Sequence, residues 1–253
     1  MWIIDVRAGS YFQSLASRLG GSDIHVYAGE DSETGHNFQA SSPHADKISS
    51  PGPAGKRIYS LNVILNGALR VSGLSLSQKP VTFSRFWDSD RGSVHRVETN
   101  LLEERPLSDE PPSDANNTKT EWGPEVHRVS HLLHLSKRHE SVRHILIFAG
   151  LLSQETTIEK IHSWNMLYRI YESIRHFCNQ YGWDLHILVG EDDLNRFTGA
   201  CNNMSAVGLY ARHGVTNRSA PSDYISDLRS ASKVILEMAE RFLDKVIEEK
   251  HEQ

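Results

Sequence analysis

Residues 156–182 read TTIEKIHSWNMLYRIYESIRHFCNQYG, and this stretch decides the fold class of the second half of the chain. Thr156 and Glu159 have the spacing of a capping box, in which each side chain satisfies a backbone amide of the first helical turn. Apolar residues then recur every three or four positions, and Gly182 is a typical helix stop. They are Ile161, Trp164, Leu167, Tyr171, Ile174 and Cys178. The spacing predicts a long amphipathic helix with one buried face.

Three further segments have the same helical spacing. The first begins near a favourable first-turn proline and covers Pro124–Ser136, and the second covers Ser141–Leu152. The last follows Pro221–Asp223 and has a single apolar face, made of Leu228, Ala231, Ile235, Met238, Phe242 and Val246. Four amphipathic helices with short connections predict an antiparallel helical bundle over residues 122–253.

Residues 1–102 combine strand and helix patterns, which predicts an N-terminal mixed α/β region and an α+β protein as a whole. Alternation of apolar and polar residues predicts a strand over Ile24–Ala28, and helical spacing predicts a helix over Leu61–Val71. Pro80–Trp87 and Val94–Val97 flank a short turn, so we expect them to pair as a β-hairpin.

Two stretches lack an apolar period. Residues 29–57 are rich in Ser, Gly, Pro and His, and we expect a long surface loop there. Residues 103–121 concentrate Pro, Asp, Ser and Asn and offer little to bury. This second stretch is predicted to be a linker or disordered loop that separates the α+β region of residues 1–102 from the bundle of residues 122–253.

The composition indicates a cytoplasmic protein with no membrane partner. The net charge of −5 argues against a general nucleic-acid coat and against a binder of anionic membranes, because both need a dominant basic field. The longest apolar run, Ile145–Ala149, is far shorter than the roughly 20 residues that cross a bilayer. Cys178 and Cys201 lack CxxC spacing, and no leader follows Met1, so a reducing compartment fits best.

The familiar cofactor and metal motifs do not occur in the sequence. GxGxxG after a strand, GxxxxGK with Ser or Thr, GxSxG and HExxH are all missing, so we expect no cofactor. His127, His131 and His134 share one helical face with Arg138. Imidazoles one turn apart can chelate zinc, but the sequence supplies no third and fourth ligands. We therefore expect a solvated face and no metal.

Arg-His dipeptides occur four times, at Arg138-His139, Arg143-His144, Arg175-His176 and Arg212-His213. An imidazole moves protons near neutral pH, and a guanidinium beside it can hold a phosphate oxygen. This chemistry suits metal-independent RNA cleavage, in which the 2′-hydroxyl is deprotonated and a pentacoordinate phosphate is stabilised.

The spacing Arg138-x5-His144 resembles the motif of HEPN-domain ribonucleases, helical bundles in which four to six residues separate an Arg from the His that follows it. The spacing Arg169-x6-His176 matches it as well. The resemblance implies a dimeric, metal-independent ribonuclease with Arg138 and His144 as the catalytic pair. The alternates are Arg169, His176, Arg212 and His213. Neither match lies at the start of the final helix, where the family usually places its motif.

A broader resemblance covers most of the chain. It is carried by Leu65–Ala68, Leu167–Glu172, Arg196–Thr198 with Asn202-Asn203, and Gly208–Gly214. These segments look like those of a group of uncharacterised bacterial proteins. The resemblance implies a bacterial origin and a shared fold, and it implies no particular chemistry.

Two hypotheses of function remain. The first is a non-enzymatic interaction or sensor component of a bacterial system, such as an anti-phage or toxin system, with a protein partner or a second copy of the chain. The second is a HEPN-like ribonuclease that acts on RNA without a metal. Clustering of Arg and His side chains in one cleft would favour the ribonuclease, and dispersal would favour the sensor.

Overall fold

The computed structural model describes residues 1–12, 23–28, 38–74, 76–90, 92–98, 101–108, 128–214, 219 and 221–250. Strands lie in the N-terminal half and helices mostly in the C-terminal half, which confirms the α+β class. The chain divides into two compact units. The first unit comprises Met1–Ala68 and Gln78–Arg143, and the second unit comprises Leu69–Ser77 and His144–Gln253.

The described strands of the first unit form one antiparallel sheet in the order β2-β3-β1-β4-β5. The strands are β1 (Trp2–Arg7), β2 (His25–Ala28), β3 (Phe38–Ser41), β4 (Thr82–Asp88) and β5 (Val94–Arg96). The central strand is β1, in which Ile4 pairs with Ala40 of β3 and with Phe86 of β4. Trp2, Ile4 and Val6 alternate with more exposed residues and are buried, so one face of β1 faces the core.

Two sequence predictions for this region are confirmed. The strand expected at Ile24–Ala28 is β2, which pairs with β3. The expected hairpin is β4 with β5, paired antiparallel with Phe86 opposite His95. In both cases alternation of apolar and polar residues was strong enough to predict the strand.

The expectation of a surface loop over residues 29–57 is wrong for residues 38–57. They form β3, helix α1 (Pro43–Asp46) and the first turns of helix α2 (Pro51–Val71). Both helices begin with proline, which fits the first turn, and the Ser42 side chain caps α1 by accepting from the His44 amide. The segment contains few large apolar residues, so its composition resembles that of a loop.

Side-chain amides fix α2 to the start of β4. The Asn66 Nδ2 donates to the Val81 carbonyl at 2.7 Å, and the Val81 amide donates to Asn66 Oδ1 at 2.8 Å. Asn62 donates to the same carbonyl at 2.9 Å. A buried asparagine therefore satisfies both backbone groups of a residue just before the strand.

Most of the chain from Arg128 onward is helical, from the end of the first unit through the second unit. They are α3 (Arg128–Arg138), α4 (Glu140–Gly150), α5 (Thr157–Tyr181), α6 (Glu191–Cys201), α7 (Met204–Val207) and α8 (Leu228–Lys250). Short 3₁₀ turns cover Leu185–Ile187 and Gly208–Tyr210. The capping box of α5 is confirmed, with reciprocal bonds between Thr156 and Glu159, and α5 ends at Gly182 in the left-handed conformation. The start expected near Pro124 lies outside the described residues.

Aromatic rings build the core of the second unit. Trp164, Tyr168 and Tyr171 of α5 surround Phe197 of α6, with ring centroids 6.3 to 6.4 Å apart. At the C-terminal end of α5, the Phe242 ring of α8 contacts the ring of Tyr181, the last residue of α5, and the ring of Trp183 just after it. The apolar spacing read from the sequence therefore marks the buried face of α5.

The predicted linker of residues 103–121 is described over residues 103–108. The Glu103 amide donates to Ser60 Oγ at 2.8 Å, and Arg57 donates to the Glu103 carboxylate. Leu107 is buried. Residues 103–108 belong to the first unit and contact α2 there. Residues 109–121 lie outside the described part of the chain, and the linker stays a prediction.

Candidate functional site

A buried polar cluster lies in the first unit where β2 begins. Asp23 Oδ1 accepts from His44 Nε2 at 2.8 Å and from Lys137 Nζ at 2.5 Å. On the other side of the imidazole, Nδ1 accepts from the backbone N–H of Ser108 at 3.1 Å. The side chains of Asp23, His44 and Lys137 are at most 8% exposed. We call Asp23, His44, Ser108 and Lys137 the Asp23 cluster.

The partners of Asp23 fix its charge and the tautomer of His44. Burial acts to raise the pKa of Asp23, but the hydrogen bond from His44 and the positive charge of Lys137 outweigh burial, so the pKa lies below its usual value. An ionised carboxylate only accepts hydrogen bonds, so His44 carries a proton on Nε2. The charges and the polar atoms of the cluster therefore satisfy one another.

Asp23, His44 and Ser108 have the connectivity of a Ser-His-Asp array, since Ser108 Oγ lies 3.0 Å from His44 Nδ1. The array differs from a nucleophilic one in a decisive respect. The backbone N–H of Ser108 donates to the same Nδ1 atom, so the lone pair that would take the hydroxyl proton already has a donor. Lys137 also neutralises the carboxylate that would stabilise an imidazolium. These contacts make the cluster structural.

His134, on the helical face of α3 that carries the histidines, lies beside this cluster. His134 Nδ1 lies 4.0 Å from Asp23 Oδ2, and the side chain is only 33% exposed. Burial and the charge of Lys137 lower the pKa of His134, although Asp23 acts in the opposite direction. The expectation of a solvated face is therefore wrong for His134. His127 lies outside the described residues, and the absence of a metal stays a prediction.

Arg138 and His144, the first choice for a catalytic pair, occupy different units. Arg138 is the exposed last residue of α3 in the first unit, and His144 is a half-buried residue of α4 in the second. Arg143, the arginine directly before His144, is buried and donates from Nη1 to the Ser136 carbonyl at 3.0 Å. This arginine of the Arg-His set therefore has a structural contact.

Within the second unit, one predicted histidine and one alternate arginine meet on a common ring. The His144 ring lies 6.2 Å from the Phe148 ring, and the Arg169 guanidinium lies 5.9 Å from the same ring. His176, the partner of Arg169 in the sequence motif, is an exposed residue of α5 beside Phe177. The Phe148 ring thus contacts both His144 and Arg169.

Arg212 is held by three contacts. Its guanidinium lies 4.0 Å above the Tyr168 ring and 3.2 Å from Glu172 Oε1, and its backbone N–H donates to the Cys201 carbonyl at 2.7 Å. These contacts tie the chain after α7 to α5 and α6. The adjacent His213 is exposed.

A cavity of about 470 Å³ lies in the second unit, beside α8. One wall consists of Arg70, Val71, Leu74 and Leu76, from the end of α2 and the residues after it. The other wall is a face of α8 with Arg229, Lys233, Leu236, Glu237 and Glu240 at helical spacing. Ser230 and Ser232 complete the lining.

A Schellman motif shapes the first wall. The Gly73 amide donates to the Arg70 carbonyl at 3.2 Å, and the Leu74 amide donates to the Leu69 carbonyl at 2.9 Å. Gly73 has φ of +102°, a value that residues with a Cβ rarely adopt. The chain therefore reverses sharply after α2 and places Leu74 and Leu76 on the same cavity as Arg70.

The charged side chains of the cavity differ in their contact with water. Arg70 is only 3% exposed, whereas Arg229, Lys233 and Glu237 are exposed residues at the rim. Lys233 Nζ lies 3.9 Å from Glu237 Oε1, a solvated pair that contributes little energy. Val71, Leu74 and Leu76 are buried. The cavity thus combines buried apolar residues and one buried arginine with a charged rim.

The sequence analysis did not identify these residues as a site. Arg70 falls inside a correctly predicted helix, and the charged residues of α8 read as the solvated face of an amphipathic helix. The strongest available indication was the run of Arg229, Lys233 and Glu237 at intervals of four, which places them on one side of α8. The opposite wall is far away in sequence, so the cavity could not be inferred.

Comparison with protein-family models, with curated proteins and with solved structures gave no match to this chain. Among the helices that the structure describes, none combines the length and the hydropathy that a bilayer crossing requires. Function is therefore inferred from the geometry of the chain itself.

Proposed function

We propose that this protein is a non-enzymatic sensor or interaction component of a bacterial system and that it binds a small molecule in the cavity beside α8. The cavity carries the proposal. Its volume of about 470 Å³ falls within the roughly 300–1,000 Å³ typical of ligand sites. Its lining joins apolar side chains to charged and hydroxyl side chains, which can fix the orientation of a bound ligand.

The position of the cavity suggests how binding would be transmitted. All but one of the lining residues of α8 belong to its first half, and its second half contacts α5 through Phe242. There the Phe242 ring lies 6.4 Å from Tyr181 and 5.5 Å from Trp183. A ligand that prefers one arrangement of α8 would shift the population of that arrangement. A protein partner or a second copy of the chain would then respond to α8.

The test is a screen of a chemically diverse fragment library by ligand-observed NMR, repeated with Leu236→Trp. Leu236 lines the cavity, so an indole there would occupy part of it and should weaken binding of the hits. Leu209→Trp is the matched control, because Leu209 is 71% exposed in the same unit and does not line the cavity. If no fragment distinguishes the two variants, the proposed function is wrong.

The contact of His144 and Arg169 with Phe148 supports a second candidate, a HEPN-like ribonuclease. In this arrangement His144 would transfer the proton and Arg169, in place of Arg138, would neutralise the phosphate. Under this hypothesis the purified protein degrades single-stranded RNA in EDTA. His144→Ala should then reduce the rate by about 10²–10⁴-fold, as expected for lost general acid–base catalysis.

His162→Ala is the control for this experiment, because His162 is an exposed histidine of the same unit and belongs to none of the candidate pairs. Cleavage that persists in His144→Ala but requires Arg212 or His213 would keep the chemistry and reject this pair. If several RNAs survive incubation with the protein in EDTA, the ribonuclease hypothesis fails and the sensor proposal is unaffected.

A further inference from the structure

We propose that the ligand of the cavity is a small organic anion, an apolar body that carries one carboxylate. This inference rests on the proposed function, since it assigns a chemical class to the ligand of the same cavity.

The lining is basic although the chain is acidic. Arg70, Arg229 and Lys233 supply three positive groups, and Glu237 and Glu240 supply two negative ones. The whole chain has a net charge of −5. A locally positive lining in an acidic protein favours an anion at this place over its neutral or cationic analogue.

The first turn of α8 does not provide this preference. The Asp227 carboxylate accepts from the Ser230 amide at 2.9 Å, and this hydrogen bond keeps the pKa of Asp227 below its usual value. The positive end of the helix therefore already has a negative group. Selectivity for an anion depends instead on the guanidinium and ammonium groups of the lining.

The distribution of charge sets the orientation of the ligand. Arg70 is buried, and Glu240 also lines the cavity, so a ligand carboxylate beside these two residues would lose its water and lie near a like charge. At the rim, Arg229 and Lys233 are exposed, and a carboxylate between them would stay hydrated. The ligand carboxylate therefore lies at the rim, where it competes with the Glu237 carboxylate for contact with Lys233.

The apolar body of the ligand then lies in the interior. Val71, Leu74 and Leu76 are buried residues of one wall, and Leu236 faces them from α8. Transfer of apolar surface from water to such walls is favourable without any directional contact. Recognition is thus divided, with affinity from the interior and charge selectivity from the rim.

The experiment uses three probes with the same body: phenylpropionate, phenylpropionamide and phenylpropylamine. Dissociation constants are measured for the full chain by NMR titration. We expect phenylpropionate to bind about tenfold more tightly than the amide, the size that two solvent-exposed charge contacts supply together. The amine should bind most weakly.

The variant Arg229→Gln/Lys233→Gln tests the residues of the rim. Both residues are exposed, so the fold should be retained. The affinity for phenylpropionate should fall to that of the amide, and the affinity for the amide should not change. Lys160→Gln/Arg175→Gln removes the same charge from α5, outside the cavity lining, and should leave the ratio at about tenfold.

Equal affinity for the acid and the amide, or a ratio that persists in Arg229→Gln/Lys233→Gln, would overturn the anion assignment. So would failure of all three probes in a protein whose cavity binds other fragments. These results would leave the proposed function in place, because the Leu236→Trp screen tests the cavity without reference to charge. Failure of that screen would reject both.

Discussion

The Asp23 cluster of the first unit and the cavity of the second unit each contain a buried charged side chain, Asp23 in one and Arg70 in the other, but they differ in what surrounds the charge. In the Asp23 cluster the carboxylate has Lys137 and His44 within 2.8 Å, and the imidazole has a backbone donor on its other side. In the cavity, charged groups border an open volume of about 470 Å³.

This difference separates a structural role from a binding role. Removing ions from water costs several kcal/mol each, and close opposite charges with good hydrogen bonds offset that cost. In the Asp23 cluster, Lys137 of α3 and His44 of α1 offset the cost of burying the carboxylate, so these contacts stabilise the packing of α3 and α1 against the start of β2. In the cavity the rim charges remain hydrated, so they are available to a ligand.

The largest expected effect comes from breaking the Asp23 cluster. Lys137→Met leaves the Asp23 charge buried beside an apolar stem, and we expect the free energy of unfolding to fall by about 3–5 kcal/mol. The measurement is urea unfolding followed by tryptophan fluorescence. Asp23→Asn/Lys137→Met should lose less than Lys137→Met alone, because no carboxylate is then left without its cation.

Arg85→Met is the matched control for Lys137→Met. Arg85 Nη2 lies 3.1 Å from Asp5 Oδ2, but the arginine side chain is 55% exposed. A solvated pair of this kind contributes less than about 1 kcal/mol. Similar losses in the free energy of unfolding in the two variants would contradict the inference that burial makes the Asp23–Lys137 pair more stabilising than an exposed pair.

A smaller effect of the same origin is expected from pH. Because the pKa of Asp23 is lowered in the folded state, its contribution to stability is fully present above the unfolded value of about 3.9. The contribution is lost as pH falls through the lower, folded pKa. Unfolding free energies measured between about pH 3 and pH 6 should therefore decline more steeply below about pH 4 in the native chain than in Asp23→Asn. Parallel curves would show that Asp23 titrates normally.

The smallest expected effect concerns the wall of the cavity. Gly73→Ala places a Cβ at φ of +102°, where an L residue is strained, and should lower the free energy of unfolding by about 1–2 kcal/mol. Gly52→Ala is the control, because Gly52 lies in the first turns of α2 with open space around it. That change should be neutral or stabilise by up to about 1 kcal/mol. Thermal unfolding of both variants is the measurement, and equal shifts would remove the argument that Gly73 shapes the wall.

Strong local patterns predicted the fold well where they occur. The capping box and apolar spacing of α5, its stop at Gly182, and the β4-β5 hairpin follow from interactions between residues close in sequence. The same reasoning failed for residues 38–57, where local composition predicted a loop. Their order comes from pairing with β1 and β2 and from packing of α2, which are contacts with distant residues.

The sequence by itself determined the α+β class, the long helices and the hairpin, because periodicity and capping act within a few residues of the chain. Tertiary structure alone decided the sites. It brought Asp23 into contact with Lys137. It placed Arg70 and Lys233 of α8 in the lining of one cavity, and it placed His144 and Arg169 beside the same ring, that of Phe148. A side chain's chemistry depends on its neighbours and its exposure, and both are set when segments far apart in sequence pack together.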